Sequence, residues 1–229
     1  MCRQTNENSG HRFRLRERFL RSGIAGLAEH ELLELLLCYA IARKDVKPLA
    51  KTLLRRFGSL EAVLGASSEK LMQIDGIGIN SAALLKLIMC ICLELMSRPL
   101  REGVDLKNPE KLQRYLQLNC SGISGEKLYL LLLDRKNRLL DTLVFSGYSS
   151  STAMLPEDLK FQICCCRGVR QVIMAHNHPG GSLLPSRSDI SSTLAVKKML
   201  NEIGVTLLDH FIVSPQGCVS MMKMPGMPK

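Results

Sequence analysis

Apolar residues recur every three or four positions through most of the first hundred residues. This spacing is typical of amphipathic helices that pack on one another. Glycines mark the breaks between the apolar segments. We predict a polar, unstructured arm over residues 1–10, followed by six helices over residues 12–22, 28–42, 46–57, 60–65, 68–74 and 80–97.

The hydrophobic period changes after a predicted linker marked by Pro99 and Gly103. A helix over 109–118 is followed by β-rich sequence, with strands predicted at 128–133, 139–145, 171–176, 205–213 and 218–222. Further helices are predicted to begin near Pro156 and to cover 187–203. The chain is therefore predicted to be α+β, with an all-helical domain over 1–100 and a mixed sheet flanked by helices over 101–229.

A helix-hairpin-helix motif is predicted at about residues 71–90, around Gly76-Ile77-Gly78. Two glycines let a hairpin backbone approach a phosphate closely, beside the N–H groups that begin the next helix. Such binding would not depend on base sequence. A plain tight turn between packed helices explains the same residues without DNA.

A net charge of +10 suggests a polyanionic partner, and nucleic acid is the usual one. The densest basic stretch is 11–21, which is equally explained as a solvated helix face. Nine cysteines without a Cys-x-x-Cys pair favour reduced thiols in a cytoplasmic protein. We found no secretory signal and expect no membrane-spanning segment.

The most specific pattern is His176-x-His178, followed after seven residues by Ser186 and then Asp189. Two residues apart on a strand, the histidine side chains project to the same side of a sheet. The intervening loop is rich in glycine and proline, so it can bring the start of the next helix back to them. Asp189 would then be a third ligand, and a fourth position would stay open for water.

Imidazole and carboxylate ligands in an open three-residue site favour Zn²⁺. A simpler explanation of Ser186 and Asp189 is a capping box at the start of a helix, but it does not account for His176 and His178. In a hydrolase, Ser186 could donate its hydroxyl to the oxyanion that forms as water attacks a carbonyl.

A hydrolase also needs a general base to accept a proton from water. We predict Glu126, because it precedes an apolar strand that could lie beside the strand of the histidines. Glu157 and Asp158 are alternatives, although both are also explained as acidic residues at a helix start. Asp209 and His210 alternate along a late strand, so at most one can face the site, in a supporting role.

These residues resemble those of the bacterial RadC family, historically called DNA repair proteins, whose C-terminal part is a JAB/MPN domain with a JAMM metalloprotease motif. The similarity lies in A-H-N-H-P-G-G at 175–181, P-S-R-S-D at 185–189 and L-D-H at 208–210. The basic segment at 12–16, the leucine-rich segment at 31–37 and the hairpin extend it over nearly the whole chain.

The resemblance implies a cytidine-deaminase-like fold in which His176, His178 and Asp189 bind zinc, Glu126 is the general acid and base, and Ser186 supports the oxyanion. The first hypothesis is thus a zinc metallopeptidase or isopeptidase with possible DNA association through the hairpin. The alternative is a DNA-associated module whose metal site is structural or vestigial. Metal-dependent DNA cleavage is disfavoured, since nucleases usually have carboxylate-rich Mg²⁺ sites.

Overall fold

The computed structural model describes residues 4–146 and 158–224. The chain forms two compact units, Met1–Cys92 and Leu93–Lys229, and the boundary in sequence falls among the residues of one long helix. The first unit is helical, and the second contains a mixed five-stranded sheet flanked by helices. The predicted α+β organisation is confirmed, while a domain boundary at residue 100 stays a prediction.

The helical unit contains α1 (Gln4–Ser22), a short 3-10 turn (Ile24–Gly26), α2 (Glu29–Ala40), α3 (Lys47–Phe57), α4 (Leu60–Gly65), α5 (Ser68–Met72) and the beginning of α6 (Ile79–Glu102). The prediction of an unstructured arm was wrong for residues 4–10, since α1 begins at Gln4. The hydrophobic core consists of the residues that repeat at helical spacing, among them Leu33, Leu37, Leu53 and Leu85, each with no exposed surface. Burial of these side chains stabilises helices that are too short to persist alone.

Several helix ends in this unit are capped by side chains. Ser59 and Ser67 accept hydrogen bonds from backbone N–H groups in the first turns of α4 and α5. At the other end of α4, the Lys86 ammonium donates to the carbonyls of residues 64–66. These contacts satisfy polar backbone groups that a helix leaves unpaired at its ends.

Helix α6 continues through Pro99 to Glu102, so the predicted break at Pro99 was wrong, whereas Gly103 does begin the non-helical segment that precedes α7. Proline removes one helical hydrogen bond, but Leu100 is buried in the core of the second unit and favours continuation of the helix. By length and composition, α6 is also the one helix in the described parts of the chain that could cross a membrane. The same helix buries Ala82 and Leu85 in the helical core, and the core helix of a soluble protein meets that test equally well.

The second unit contains α7 (Glu110–Cys120), β1 (Lys127–Leu133), β2 (Leu139–Ser146), α8 (Leu159–Cys165), β3 (Gln171–Asn177), α9 (Arg187–Glu202), β4 (Thr206–Ser214) and β5 (Gly217–Ser220). The strand order is β2-β1-β3-β4-β5. Only β3 and β4 are parallel, and α9 is the crossover between them. The helix expected near Pro156 begins at Leu159; Pro156 itself lies outside the described residues.

Alternate residues of the central strands pack on opposite faces of the sheet. In β3, Ile173 and Ala175 join the core that includes α7, whereas Val172 and Met174 join the core that includes α8 and α9. Continuing this alternation places His176 on the α9 side of the sheet. The end of β3 therefore presents polar side chains toward the start of α9.

A β-bulge in β4 sets the direction of His210. The pairing with β3 changes register between Val172 and Ile173, so that Ile173 pairs with Asp209 and Met174 with His210. A bulge adds one residue to a strand and reverses the face of the residues beyond it. Leu207 and His210 consequently both lie on the α9 side, although an unbroken strand would separate them.

Candidate metal centre at the end of the central strand

His176 and His178 lie at the carboxyl end of β3, with 0% and 8% of their surfaces exposed. The backbone N–H of His178 donates to the Val213 carbonyl at 2.8 Å, which extends the pairing with β4 past the last strand residue. The His178 Nδ1 atom lies 3.0 Å from the carbonyl oxygen of Ser182 in the following loop. Both histidines thus lie at one end of a buried strand, and the loop that follows holds the His178 imidazole.

Asp189 completes the cluster from the first turn of α9 and is fully buried. Its Oδ1 atom lies 3.2 Å from His176 Nε2, and its Oδ2 atom lies 3.6 Å from His178 Nε2. The two histidine Nε2 atoms are 2.8 Å apart. One ligand atom from each residue lies within 4.8 Å of the others, so the three side chains could hold one metal ion.

The charges in the cluster are mutually dependent. Burial opposes ionisation of Asp189, but its contacts with His176, His178 and Ser186 outweigh that effect and lower its pKa. The contact with Asp189 raises the pKa of His178, with smaller contributions from the Ser182 carbonyl and the charge of Glu126. A buried carboxylate facing two imidazoles is therefore kept ionised, as a metal ligand must be.

Ser186 is the N-cap of α9 and forms a capping box with Asp189. Its hydroxyl donates to Asp189 Oδ2 at 2.6 Å and accepts from the Asp189 N–H at 3.1 Å. The Ser186 N–H donates to the same Oδ2 atom at 2.8 Å. The capping box and the candidate metal site are thus one arrangement, in which Asp189 turns one oxygen to the cap and the other to His176.

Glu126 immediately precedes β1 and is half-buried. Strand β1 pairs with β3, and Leu128 lies opposite His176. Glu126, two residues before Leu128, therefore lies at the same end of these strands as the histidines. The influence of its charge on His178 reflects that proximity. The expectation that Glu126 lies beside the strand of the histidines agrees with this pairing, while its role as a base stays a prediction.

The sequence reasoning missed Asn177, which lies between the two histidines and is 3% exposed. Its Oδ1 atom accepts from the Lys127 N–H at 2.7 Å, and its Nδ2 atom donates to the Gly125 carbonyl at 3.0 Å. These bonds hold the backbone on both sides of Glu126. A polar residue in register with Ile173 and Ala175, where alternation predicts an apolar one, was the available signal.

The remaining candidates differ in position. Asp158 is the exposed N-cap of α8 and accepts a hydrogen bond from Gln162 at 2.8 Å, while Glu157 lies outside the described residues. Asp209 accepts from Ser220 at 2.8 Å and from the His210 N–H at 2.7 Å, which connects β4 to the following chain. His210 instead faces the cluster, with its Nε2 atom 2.8 Å from His176 Nδ1.

Comparison with known proteins agrees with this geometry. Residues 106–227, which include every residue of the cluster, match a family model described as a RadC-like JAB domain. The chain belongs to the RadC family. Residues 8–83 match a second model, the UPF0758 N-terminal domain. The predicted family is thus confirmed over most of the chain.

Three curated relatives in the RadC family are named UPF0758 proteins. One from Fusobacterium nucleatum is 36% identical over 225 residues, which is 95% of this chain and 97% of the relative. One from Janthinobacterium sp. is 36% identical over 90% of this chain and 92% of the relative. One from Cupriavidus necator is 35% identical over 93% of this chain and 96% of the relative.

The donor set fits the zinc ion that the JAMM motif implies. Two imidazole nitrogens and one carboxylate oxygen form the ligand set of an open, catalytic zinc site, whereas structural zinc sites usually have four protein ligands. His176, His178 and Asp189 are buried, with the atoms that would bind a metal turned toward one another. The described residues therefore provide a candidate metal site of hydrolase type.

Proposed function

We propose that this RadC-family chain is a zinc-dependent hydrolase of the JAMM type that cleaves peptide or isopeptide bonds. The observation that carries the proposal is the convergence of His176, His178 and Asp189 at the end of β3. The free thiols among the described cysteines are consistent with a cytoplasmic protein. Peptide or protein is the expected substrate class.

Zinc bound by these residues would supply an acidic water and polarise the carbonyl under attack. Glu126 would accept the proton from that water and deliver it to the leaving amine. The Asn177 hydrogen bonds hold the backbone on both sides of Glu126, which would restrict the motion of its carboxylate. Water attack and proton transfer would thus occur at the shared end of β1 and β3.

Ser186 remains the proposed donor to the oxyanion. In the resting arrangement its hydroxyl donates to Asp189 Oδ2, so the proton must turn away from that carboxylate to reach a substrate. The Ser186 N–H also donates to Oδ2 and would continue to satisfy it after the hydroxyl turned. The cap could therefore remain formed while the hydroxyl contributes to catalysis.

The first test measures zinc in protein purified without chelators. Wild-type protein should contain about one zinc per chain, and His176→Ala should lose it. His30→Ala, a half-buried histidine at the start of α2, is the matched control and should retain zinc. Absence of zinc from the wild type, or its retention in His176→Ala, would contradict the proposal.

The second test measures hydrolysis of a fluorescence-quenched peptide library and of an isopeptide-linked substrate. Glu126→Gln should reduce cleavage by roughly 100-fold or more without loss of zinc. Glu110→Gln, at the exposed start of α7, removes the same charge and should leave cleavage unchanged. Zinc binding without any hydrolysis would favour the alternative of a structural or vestigial metal site.

A second candidate function is association with DNA through the helical unit, as the predicted helix-hairpin-helix implies. A Cβ at Gly78 would meet no atom within 4 Å, so there is space beside this hairpin, where the Gly78 N–H donates to the Ser81 hydroxyl at 3.1 Å. A Cβ at Gly76 would lie 3.5 Å from Leu49, which places the start of α3 beside the hairpin. Exposed Lys51 and Arg55 extend along α3 as positive charges.

Within the described residues, Lys51 and Arg55 form no ion pair, which leaves their charges available to phosphates. Anisotropy of a labelled DNA duplex at increasing salt should show binding that weakens in Lys51→Glu/Arg55→Glu. The slope of log K against log salt should fall by about two. Lys107→Glu/Lys111→Glu, on exposed positions of the other unit, is the charge-matched control; equal losses in both variants would contradict a specific surface.

A further inference from the structure

A line of buried polar groups runs from the backbone of α9 to His176. The Thr193 hydroxyl lies 2.5 Å from the Asp189 carbonyl oxygen and 2.6 Å from His210 Nδ1. His210 Nε2 lies 2.8 Å from His176 Nδ1. Thr193, His210 and His176 have 1%, 0% and 0% of their surfaces exposed, so these groups depend on one another for hydrogen bonds.

The carbonyl determines the direction of every bond in this line. A carbonyl oxygen only accepts, so the Thr193 hydroxyl must donate to Asp189 and can only accept from His210. His210 therefore carries its proton on Nδ1 and presents a lone pair at Nε2. That lone pair accepts from His176 Nδ1–H, which leaves the lone pair of His176 on Nε2.

His176 Nε2 is the atom that lies 3.2 Å from Asp189 Oδ1 and 2.8 Å from His178 Nε2. We propose that Thr193 and His210 are positioning residues that fix the Nδ1–H tautomer of His176 and so keep its Nε2 lone pair available to a metal ion. The inference rests on the proposed metal site. We call the hydrogen-bonded line from the Asp189 carbonyl through Thr193 and His210 to His176 the relay.

The contrast with His178 explains why a relay is required. His178 lies beyond the strand, and its Nδ1 atom reaches the carbonyl of Ser182 directly at 3.0 Å. His176 lies inside the sheet, paired with Leu128 on one side and Ile212 on the other. The backbone carbonyls of neighbouring strands there take part in sheet pairing. The His176 imidazole is instead connected to the Asp189 carbonyl through the side chains of His210 and Thr193.

The relay also joins two functions in one residue. The side chain of Asp189 faces the two histidines, while its carbonyl fixes the proton positions behind one of them. The first turn of α9 thus provides a candidate ligand and prepares another. Hydrogen bonds behind metal-bound histidines typically change metal affinity by 10- to 100-fold when they are removed.

The experiment compares zinc affinity of full-length variants by competition with a coloured chelator. Thr193→Val removes the hydroxyl with little change in shape and should weaken zinc binding by about 10-fold or more. Thr193→Ser keeps the hydroxyl and should restore wild-type affinity. Ser192→Ala is the matched control, because Ser192 also donates to the Asp189 carbonyl, at 3.1 Å, and its removal leaves the Thr193–His210 contact in place.

Nitrogen NMR of the imidazoles provides a second readout, whose first result comes from the wild-type protein alone. Wild-type protein should show His210 and His176 as Nδ1–H tautomers, and Thr193→Val should shift His210 toward Nε2–H. Equal zinc affinity in Thr193→Val and the wild type, or an Nε2–H tautomer for His210 in the wild type, would overturn the relay. A wild type that binds no zinc would overturn the proposed function, while the His210 tautomer in the metal-free protein would still test the relay.

Discussion

Replacing Asn177 by alanine should release the backbone around Glu126 without removing a metal ligand. The change deletes the acceptor for the Lys127 N–H and the donor to the Gly125 carbonyl. Each bond contributes a net of about 0.5–1.5 kcal/mol, and with Asn177 only 3% exposed, water is poorly placed to replace either. The expected local destabilisation is therefore about 1–3 kcal/mol.

Amide hydrogen exchange measures this change at the affected group. If the Lys127 N–H is protected by Asn177, a loss of about 1–3 kcal/mol should accelerate its exchange by roughly 5- to 150-fold. Asn201→Ala, at an exposed position near the end of α9, is the control and should leave the exchange of Lys127 unchanged. Global unfolding is a poorer assay, because a chain with two compact units need not unfold in one transition.

The same variant separates support of Glu126 from support of the metal. Zinc affinity should stay within about threefold of wild type, since the ligand atoms keep their partners, whereas hydrolysis by the proposed enzyme should fall by roughly 100-fold. An unchanged exchange rate of the Lys127 N–H in Asn177→Ala would refute the view that Asn177 holds the backbone beside Glu126. A loss of zinc affinity as large as the change in exchange would instead show that Asn177 supports the histidines.

Four further outcomes are expected. Zinc at 100 times its Kd should stabilise the protein by about 2.7 kcal/mol and raise the Tm measured by calorimetry by roughly 10 °C. Zinc should not raise the Tm of His178→Gln. Equal Tm values of the wild type with zinc and with a chelator would contradict the metal site. Ser186→Ala should cost about 1 kcal/mol in urea unfolding through loss of the α9 cap, whereas Ser186→Thr should retain most of it; a neutral alanine variant would argue against the cap. Burial raises the pKa of Cys120 and Cys218 to about 12, so iodoacetamide at pH 8 should modify exposed Cys164 first. The thiols of Cys120 and Cys218 have an ordinary pKa of 9.0 when unfolded, so their contribution to stability is complete below that pH. It should fall by about 1.4 kcal/mol per thiol for each pH unit between 9.0 and about 12, which alkaline unfolding curves would measure.

Much of the second unit could be predicted because its central strands β1, β3 and β4 are buried on both faces. Continuous apolar runs in β1 (128–133) and β3 (172–175) indicated strands, and the Gly/Pro loop after His178 indicated a return of the chain to α9. Those local patterns were enough to predict that His176, His178 and Asp189 lie close together. The structure places them within metal-binding distance, as the spacing required.

Other features depend on distant partners and leave a weaker local signal. Proline disfavours a helix interior, but α6 continues past Pro99 to Glu102. Burial of Leu100 in the core of the second unit stabilises this last turn. The direction of His210 follows from a bulge in β4, whose register is set by pairing with β3. Asn177 bonds to backbone groups some fifty residues earlier, which only the antiparallel pairing of β1 and β3 brings into contact.

The capping box and the metal site, which the sequence presented as competing explanations, together favour a catalytic site. Asp189 Oδ2 accepts from both the N–H and the hydroxyl of Ser186, so its lone pairs are largely committed to the helix start. Oδ1 is the oxygen that faces His176 Nε2, at 3.2 Å. From the parts of the chain that the structure describes, a zinc ion would have three protein ligands, one carboxylate oxygen and two imidazole nitrogens, and would still lack a fourth. An ion with an open coordination position needs water or substrate to complete its shell, and that requirement distinguishes a hydrolytic zinc from a purely structural one.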